Sequence, residues 1–297
     1  KGVITWIPDF QHLYMPQYFS ADDVSYRDRS FAERAAGAHF ILCSSQTVAR
    51  DLAEHMPAHA GKALVGRFPS NLVFESMPAG DPAETVRKYH LPEKFALVAN
   101  QFWKHKNHEV VLRALAEARS LGCAVPVVMT GLPLDYRDAS NGPISRVLQL
   151  SSTLGLHPLV HPLGQVPYMD LIQLMRAAAL IIQPSRFEGW STIVQDAKAL
   201  GRPVFCSDIP VHREQAPDPG LLFDCDEPRS LASLLVDRWP TLSSTRDLPA
   251  ETASLAKHLD VAVDYGNAVA GHVIKAFDAA SQQLYVQSIP QKPAPGV

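Results

Sequence analysis

The stretch LIIQPSRFEGWSTIVQDAKALGRPVFCSD, residues 180–208, carries the clearest folding signal in this chain. Both ends, residues 180–185 and 203–208, begin with continuous apolar runs. Such runs are typical of strands that are covered on both faces in a parallel sheet. Between them, residues 192–200 place apolar side chains at the spacing of one helix face. The stretch therefore predicts a strand–helix–strand unit with a right-handed crossover.

The same pattern recurs along the rest of the chain. Further runs that predict strands are residues 2–7, 38–45, 62–68, 95–100, 125–131, 159–164 and 220–224. Helical patterns alternate with them at residues 25–36, 46–55, 82–90, 107–121, 143–154, 168–177 and 228–238. This alternation predicts an α/β chain with two Rossmann-like, doubly wound domains.

A break in composition divides the chain. Proline, glycine and asparagine crowd residues 69–92, as expected of an interdomain linker. The predicted organisation is a partial N-terminal domain at 1–75, a linker at 76–92, a complete Rossmann-like domain at 93–240, a C-terminal helix at 250–285 and a flexible tail at 286–297. The first domain holds only three predicted strands, and the chain does not begin with Met. We therefore expect a truncated piece or one half of a split enzyme.

Composition excludes several classes of protein. Hydrophobic residues make up 46% and charged residues 19% of the 297, which argues against wholesale disorder and coiled coil. The formal charge of -3 gives no global attraction to nucleic acid. No apolar run approaches the ~20 residues of a transmembrane helix. Cys43 and Cys206 lie in predicted strands and fit buried thiols of a reducing cytoplasm.

The turn after residues 180–185 predicts a ligand site, because ligands bind at the carboxyl ends of strands in open α/β sheets. Gly189 and Ser191 form a tight turn, and Thr192 with Gln195 fits a capping box that opens a helix. A helix start there presents free N–H groups and a positive dipole end to an anion.

Two carboxylates accompany this turn. Glu188 precedes it, and Asp196 lies on the helix face that also carries Thr192. Carboxylates on either side of an anion site suit a ligand with phosphates in the middle and hydroxylated rings at each end. The alternative is a plain strand–turn–helix join whose acids cap the helix, and these two residues alone do not separate the two interpretations.

Other strand ends carry compatible residues. Lys104 and Lys106 follow the strand at 95–100 and suit phosphate, although a solvated basic turn is the alternative. Gly131 and Gly164 let a ligand approach the backbone closely, or serve only as turn glycines. His105 and His108 are three residues apart, but no carboxylate pattern supports a metal, so we expect no metal site.

The segment QPSRFEGWSTIVQDAKALGRPVFCSDIPVHREQ, residues 183–215, resembles the C-terminal donor-binding domain of retaining GT-B fold glycosyltransferases of family 4, the glycosyl transferases group 1. Its Glu188-x7-Asp196 is similar to that family's E-x7-E motif. Residues 6–20 and 25–52 are similar to the second half of the family's N-terminal, acceptor-side domain. The resemblance also implies that the C-terminal helix at 250–285 packs back on the N-terminal domain.

The resemblance implies a role for each matching residue. Glu188 would bind hydroxyls of the transferred sugar, Lys106 would neutralise the diphosphate, and Asp196 would take the ribose hydroxyls. The amides from Gly189 to Thr192 would hold the sugar and the diphosphate, and residues 164–166 would line the base. The implied catalytic residues are Glu188 and Lys106; the implied donor-binding residues are Gln101, Lys104, Gly131, Gly164, Val166, Gly189, Trp190, Ser191, Thr192 and Asp196.

The chain also departs from the family pattern. Gln101 stands where the family often has a phosphate-binding arginine. Asp196 replaces the second glutamate. The acceptor-side His-acid pair reads Pro8–Asp9, so the histidine is absent there. His12 lies nearby and either substitutes for it or plays a structural role under the following turn.

The resemblance implies a metal-independent, retaining hexosyltransferase without a cofactor, in which the nucleotide diphosphate sugar is a substrate. The resemblance leaves the acceptor open between a saccharide, a lipid-linked group and a small molecule. We expect the protein in the cytoplasm, at the inner membrane face if the acceptor is a lipid. Two alternatives stay open. One is a nucleotide-sugar epimerase or hydrolase of the same fold, and the other is a non-catalytic, nucleotide-binding remnant.

Overall fold

A computed structural model describes residues 2–73, 80–134, 142–215, 218–244 and 246–288, with side chains described up to 278. The strands are β1 (Ile4–Ile7), β2 (Phe40–Cys43), β3 (Ala63–Val65), β4 (Ala96–Ala99), β5 (Val127–Thr130), β6 (Val160–Gly164), β7 (Leu180–Gln183), β8 (Val204–Ser207) and β9 (Leu222–Phe223). The helices are α1 (Gln11–Tyr14), α2 (Ala21–Gly37), α3 (Gln46–His55), α4 (Pro82–Lys88), α5 (His108–Ser120), α6 (Gly142–Thr153), α7 (Tyr168–Ala177), α8 (Thr192–Ala199), α9 (Pro210–Gln215), α10 (Pro228–Arg238) and α11 (Leu248–Ser288).

Each predicted strand is present within its expected range, so the α/β class with parallel strands is confirmed. The predicted helices are present too. α2 begins at Ala21, four residues before the expected start, because the hydroxyl of Ser20 accepts a hydrogen bond from the Asp23 amide at 3.1 Å in a capping box. The short helices α1 and α9 were not predicted, since four and six residues are too few to show a helical period.

Backbone contacts divide the chain into two units, Lys1–Phe68 with Val263–Val297, and Pro69–Ala262. The boundary lies after Phe68, ahead of the linker that was predicted at 76–92. Residues 76–79 of that linker and 289–297 of the predicted tail lie outside the described residues. The long helix α11 belongs to the second unit up to Ala262 and to the first unit from Val263 onward. None of the described helices combines the length and the apolar character that crossing a membrane requires.

The first unit contains a three-stranded parallel sheet in the order β1-β2-β3. Its core is built from Ile7 and Phe10 at the end of β1, Ile41 on β2 and Leu52 on α3, all of them fully buried or nearly so. Cys43 on β2 is a buried free thiol, as the sequence predicts. Burial raises its pKa to about 12, so this thiol is unreactive.

The second unit contains a six-stranded parallel sheet in the order β6-β5-β4-β7-β8-β9. The helices α5 and α10 contribute to the core on one side, and α7 and α8 contribute to the other. The chain moves outward from β4 to β6 and then returns to β7, which lies against β4. The strand order therefore reverses between β4 and β7, and the carboxyl ends of these strands are where a doubly wound sheet opens a crevice.

Candidate active site

A cavity of about 480 Å³ opens at this reversal of strand order. Its lining residues come from the carboxyl ends of β4, β5 and β7, from the loop after β6 and from the start of α8. The predicted site residues that line it are Gln101, Lys106, Gly131, Val166, Glu188, Trp190, Ser191 and Thr192. Gln165, within the range 164–166 that was predicted to contact the base, lines it too. Lining residues that were not predicted include Asn100, Thr130, Tyr168, Gln183 and Ile193. The structure thus brings residues from four strand ends to one cavity.

The remaining predicted residues lie elsewhere. Lys104, Gly164, Gly189 and Asp196 belong to the same unit but are not among the lining residues. Asp9 and His12 belong to the first unit.

Lys106 and Glu188 form the central charged pair of the cavity. Lys106 ends a short 3-10 turn after β4, and Glu188 lies on the loop after β7. The Nζ atom of Lys106 lies 2.6 Å from Oε1 of Glu188, and the side chains are only 13% and 10% exposed. Burial disfavours ionisation of Glu188, but the Lys106 charge and hydrogen bond outweigh it and hold the pKa of Glu188 below its ordinary value. Glu188 is therefore ionised at neutral pH.

Gln183, at the end of β7, holds the carboxylate from a second side. Its Nε2 donates to Oε1 of Glu188 and to the hydroxyl of Ser191, each at 2.9 Å. Its Oε1 accepts from Nδ2 of Asn100 at 2.6 Å. Sequence reasoning missed this residue, although an amide that ends the apolar run of β7 was a usable signal, because buried polar groups require partners.

The start of α8 differs from the predicted capping box. Ser191 is the N-cap, but its hydroxyl makes no cap hydrogen bond and instead accepts from Gln183. Thr192 is already the first helical residue, so the Thr192–Gln195 capping box is wrong. The physical reason is the position of the helix start: Ser191 occupies the cap, so Thr192 already lies inside the first turn.

The backbone amide of Ser191 also has a hydrogen-bond partner within the protein. Its N–H donates to Oε1 of Gln215 at 3.0 Å, and the Gln215 Nε2 donates back to the Ser191 carbonyl at 2.8 Å. The expectation that this amide is available to a ligand is therefore corrected. The next two residues, Thr192 and Ile193, line the cavity in the first turn of α8, where amides have no acceptor within the helix.

Asp196 lies one turn into α8, and its Oδ1 accepts a hydrogen bond from the hydroxyl of Ser70 at 2.6 Å. The Ser70 hydroxyl in turn accepts from the Leu72 amide at 3.2 Å. The carboxylate thus binds an alcohol group in this structure, which is the chemistry expected of it toward a ribose hydroxyl, although here the alcohol belongs to the protein.

Turn geometry explains two predicted glycines. Gly131 has φ +155°, and a Cβ there would lie 2.1 Å from the Asn100 carbonyl oxygen. Its amide donates to the Gly164 carbonyl at 2.9 Å, and Gly164 itself has φ +66° with open space where a Cβ would stand. Gly131 therefore permits the ends of β4 and β5 to approach each other, and Gly164 permits a left-handed turn.

His212 on α9 is a second group that sequence reasoning missed. Its ring is fully buried, and Nδ1 lies 3.0 Å from the Ser207 carbonyl oxygen. Nε2 has no hydrogen-bond partner among the described residues. Burial lowers the pKa of His212 to about 4, against an opposing attraction from Glu188. His212 is therefore a neutral ring in the charged environment of Glu188 at physiological pH.

The acceptor-side candidates have partners within their own unit. The His12 ring is 1% exposed, and its Nε2 lies 3.1 Å from Oδ1 of Asp28. Burial lowers the pKa of His12, although Asp28 opposes the shift. Asp9 accepts a hydrogen bond from the Gln11 amide at 2.9 Å and lies 3.8 Å from Arg27. Of the two roles left open for His12, these contacts favour the structural one.

The described residues contain one cluster with the atoms to bind a cation. Asp224, Cys225 and Asp226 bring their ligand atoms within 4.8 Å of one another. This cluster does not line the cavity, and Asp226 is already paired with Arg186.

Solved structures with a similar fold include HepE from Anabaena in complex with UDP and glucose. It superimposes with a TM-score of 0.70 and 17% identity, covering 91% of this chain and 72% of that one. Sucrose-phosphate synthase from Thermosynechococcus elongatus gives a TM-score of 0.64 and 17% identity, covering 96% and 68%. These likenesses show the fold, which is of the GT-B type, as the sequence predicts.

The chain spans little more than half to two thirds of the length of the curated relatives that it matches. The chain is 23% identical over 259 residues to O-antigen chain mannosyltransferase B of Escherichia coli and 28% identical over 268 residues to D-inositol 3-phosphate glycosyltransferase of Salinispora tropica. These alignments cover 84% and 83% of this chain but only 65% and 54% of the relatives.

The family model described as "Glycosyl transferases group 1" matches residues 84–239, which is more than half of the 297 residues. The matched region contains the cavity, the Lys106–Glu188 pair and the start of α8. The chain therefore belongs to the glycosyl transferases group 1 family.

Proposed function

We propose that the protein is a retaining glycosyltransferase of family 4 that transfers a hexose from a nucleotide diphosphate sugar to an acceptor hydroxyl without a metal ion. The observation that carries this proposal is the Lys106–Glu188 pair at 2.6 Å in a cavity at the reversal of strand order. The pair offers a cation for a diphosphate and a carboxylate for sugar hydroxyls within one ligand-sized space.

In the proposed reaction, the bond between the anomeric carbon and the diphosphate breaks, and an acceptor hydroxyl attacks from the same face and gives its proton to the departing diphosphate oxygen. Negative charge grows on the diphosphate as it departs. Lys106 and the first-turn amides of α8 would stabilise that charge, which is the main catalytic demand. Glu188 would hold hydroxyls of the sugar while the anomeric carbon reacts.

Other residues of the second unit would bind the ribose and the base of the donor. Asp196, whose carboxylate binds the Ser70 hydroxyl in this structure, would take the ribose hydroxyls. Val166 would contact the base together with the glycine turn at Gly164. On the acceptor side, Asp9, whose side chain is 25% exposed, would contact the acceptor in preference to the buried His12.

The relatives support a hexose donor. One is named a mannosyltransferase, and one similar structure holds UDP and glucose. The spacing of Glu188 and Asp196 supports the retaining outcome, because it is similar to the E-x7-E motif of retaining family 4 enzymes. The buried thiol of Cys206 supports a reducing, cytoplasmic location.

Isothermal titration calorimetry with UDP, GDP and their hexose conjugates tests the proposal. We expect one base to bind, with the sugar conjugate bound more tightly than the bare diphosphate. A panel of saccharide, lipid-linked and small-molecule acceptors should then release nucleotide from the bound donor. Epimerised donor without acceptor would indicate an epimerase instead, and absence of any nucleotide binding would overturn the proposal.

A further inference from the structure

Gln183 is an unusual residue for its place in the fold. It ends β7, the strand next to β4 in the middle of the sheet, and its side chain is 1% exposed. The preceding strand residues, Leu180 to Ile182, are apolar and fully buried. An amide in such a place costs free energy unless its donors and its acceptor are all paired.

The amide of Gln183 is fully used, and its contacts join three parts of the cavity wall. Its oxygen accepts from Asn100 after β4, and its nitrogen donates to Glu188 on the loop and to Ser191 at the start of α8. A third contact, from Nε2 to the Ser185 hydroxyl, is longer at 3.4 Å. These distances of 2.6–2.9 Å for the three main bonds are typical of well-formed hydrogen bonds.

The chemistry of the partners determines which way the amide faces. Glu188 is ionised and only accepts, so it requires the NH₂ end of the amide. The Nδ2 group of Asn100 only donates, so it requires the oxygen end. Rotating the Gln183 amide by half a turn would set its oxygen against a carboxylate. The Glu188 carboxylate and the Asn100 donor therefore agree on one orientation of the Gln183 amide, which bonds to both at once.

We propose that Gln183 is a positioning residue that holds the Glu188 carboxylate in place while Lys106 is engaged by a diphosphate. The inference rests on the proposed function. Lys106 is bonded to Glu188 in this structure, so a diphosphate that recruits Lys106 weakens that bond. Gln183 carries no charge for a phosphate to attract and is almost fully buried, so its bond to Glu188 persists.

Other charged or titratable groups around Glu188 do not replace this bond. His105, from the same turn as Lys106, and His212, from α9, act on Glu188 through their charge when protonated. His212 is neutral at physiological pH, since burial lowers its pKa to about 4. With Lys106 engaged, Gln183 supplies the hydrogen bond that keeps the carboxylate aimed at a sugar hydroxyl.

Two variants of Gln183 distinguish a positioning role from a role in packing alone. Gln183→Met keeps the approximate volume and removes both donors. Gln183→Glu keeps the shape and the oxygen facing Asn100, but it sets a second carboxylate beside Glu188. Gln173→Met is the matched control, because Gln173 is also buried, lies in the same unit and does not line the cavity.

We expect Gln183→Met to lower the affinity for the nucleotide sugar by about 10-fold to 100-fold, since a hydrogen bond to a charged group is lost. Gln183→Glu should lower it further, and the bare nucleoside diphosphate should bind nearly as well to Gln183→Met as to the wild type. Gln173→Met should change neither affinity by more than about twofold, because its hydrogen bonds lie outside the cavity. A role in packing alone predicts the reverse order, with the isosteric Gln183→Glu tolerated best.

A ligand-free readout distinguishes this inference from the proposed function. Carbon-13 NMR titration of the Glu188 carboxyl should show its pKa raised in Gln183→Met, because the lost donor had favoured the ionised form. An unchanged Glu188 pKa in Gln183→Met would overturn the inference, even if the protein never binds a nucleotide. A wild-type protein that binds no nucleotide, with a Glu188 pKa that does rise in the variant, would overturn the proposed function and leave the positioning contact intact.

Discussion

The ammonium group of Lys106 contacts the carboxylate of Glu188 at 2.6 Å, although 82 residues separate them along the chain. They meet because β4 lies directly beside β7, so the turns that follow the two strands open onto the same crevice. An ion pair that is mostly buried on both sides is costly to break by removing one partner. A ligand that carries both a diphosphate and hydroxyls can replace this contact, because the diphosphate binds Lys106 while a hydroxyl donates to Glu188.

Removal of the Lys106 charge should weaken every diphosphate ligand. In Lys106→Ala we expect donor turnover to fall by about 100-fold to 1,000-fold, the usual loss when one pre-placed donor to a developing negative charge is removed. Initial-rate kinetics with the nucleotide sugar identified by calorimetry measures this. Lys106→Arg should recover part of the rate because it keeps the charge. Near-normal turnover in Lys106→Ala would contradict the role assigned to this lysine.

Glu188→Gln should affect the nucleotide sugar and the bare nucleoside diphosphate differently. Turnover should fall by about 100-fold, because the carboxylate that accepts from sugar hydroxyls is lost. The bare nucleoside diphosphate, in contrast, should bind at least as tightly as to the wild type, since Lys106 no longer shares its charge with a carboxylate. Calorimetry on both ligands checks the split. Glu84→Gln on the exposed face of α4 is the control and should change neither value. Parallel weakening of both ligands would argue against the exchange described above.

Gln215→Met should loosen the start of α8. The Ser191 amide loses its acceptor, and an unpaired buried donor costs about 1–3 kcal/mol of stability. Hydrogen exchange of the Ser191 amide should therefore accelerate, while exchange in the middle of α5 should stay at its wild-type rate if only the local contact is lost. Protection of Ser191 equal to that of the wild type would show that Gln215 does not hold this turn.

Substitution at Gly131 should be more damaging than at another glycine with positive φ. A Cβ at Gly131 would meet the Asn100 carbonyl at 2.1 Å, whereas a Cβ at Gly122, with φ +83°, meets nothing within 4 Å. Gly122→Ala should cost about 1–2 kcal/mol from backbone conformation alone. Gly131→Ala should cost more, because the ends of β4 and β5 must also separate. Urea denaturation compares the two, and equal losses would contradict the steric explanation.

The stability of the second unit should fall in acid. Burial lowers the pKa of His108 and of His212 to about 4, so the unfolded chain takes up these protons first as the pH falls below 6.5. Each ring should then cost about 3 kcal/mol of unfolding free energy at pH 4 relative to pH 8. Urea titrations across this range measure the loss. His108→Gln should show a shallower dependence on pH, and a profile identical to the wild type would exclude a contribution from His108.

The amino-acid sequence by itself determined where the strands and the longer helices lie. Continuous apolar runs and helix-spaced apolar faces are local properties of a few neighbouring residues, so β1 to β9 and the long helices could be predicted. The family also followed from local motifs, because the turn after β7 carries its own pattern around Glu188. The same reasoning reached Lys106, since it follows a strand and precedes a helix.

Tertiary structure decided which polar groups meet. No local pattern states that Gln183 contacts Asn100 and Ser191, or that Gln215 takes the Ser191 amide, because these contacts depend on the order of strands in the sheet and on the packing of α9. The side chain at the start of α8 was decided in the same way. A serine at a helix start can bond to its own helix or to a buried amide, and only the folded sheet brings Gln183 within reach of Ser191.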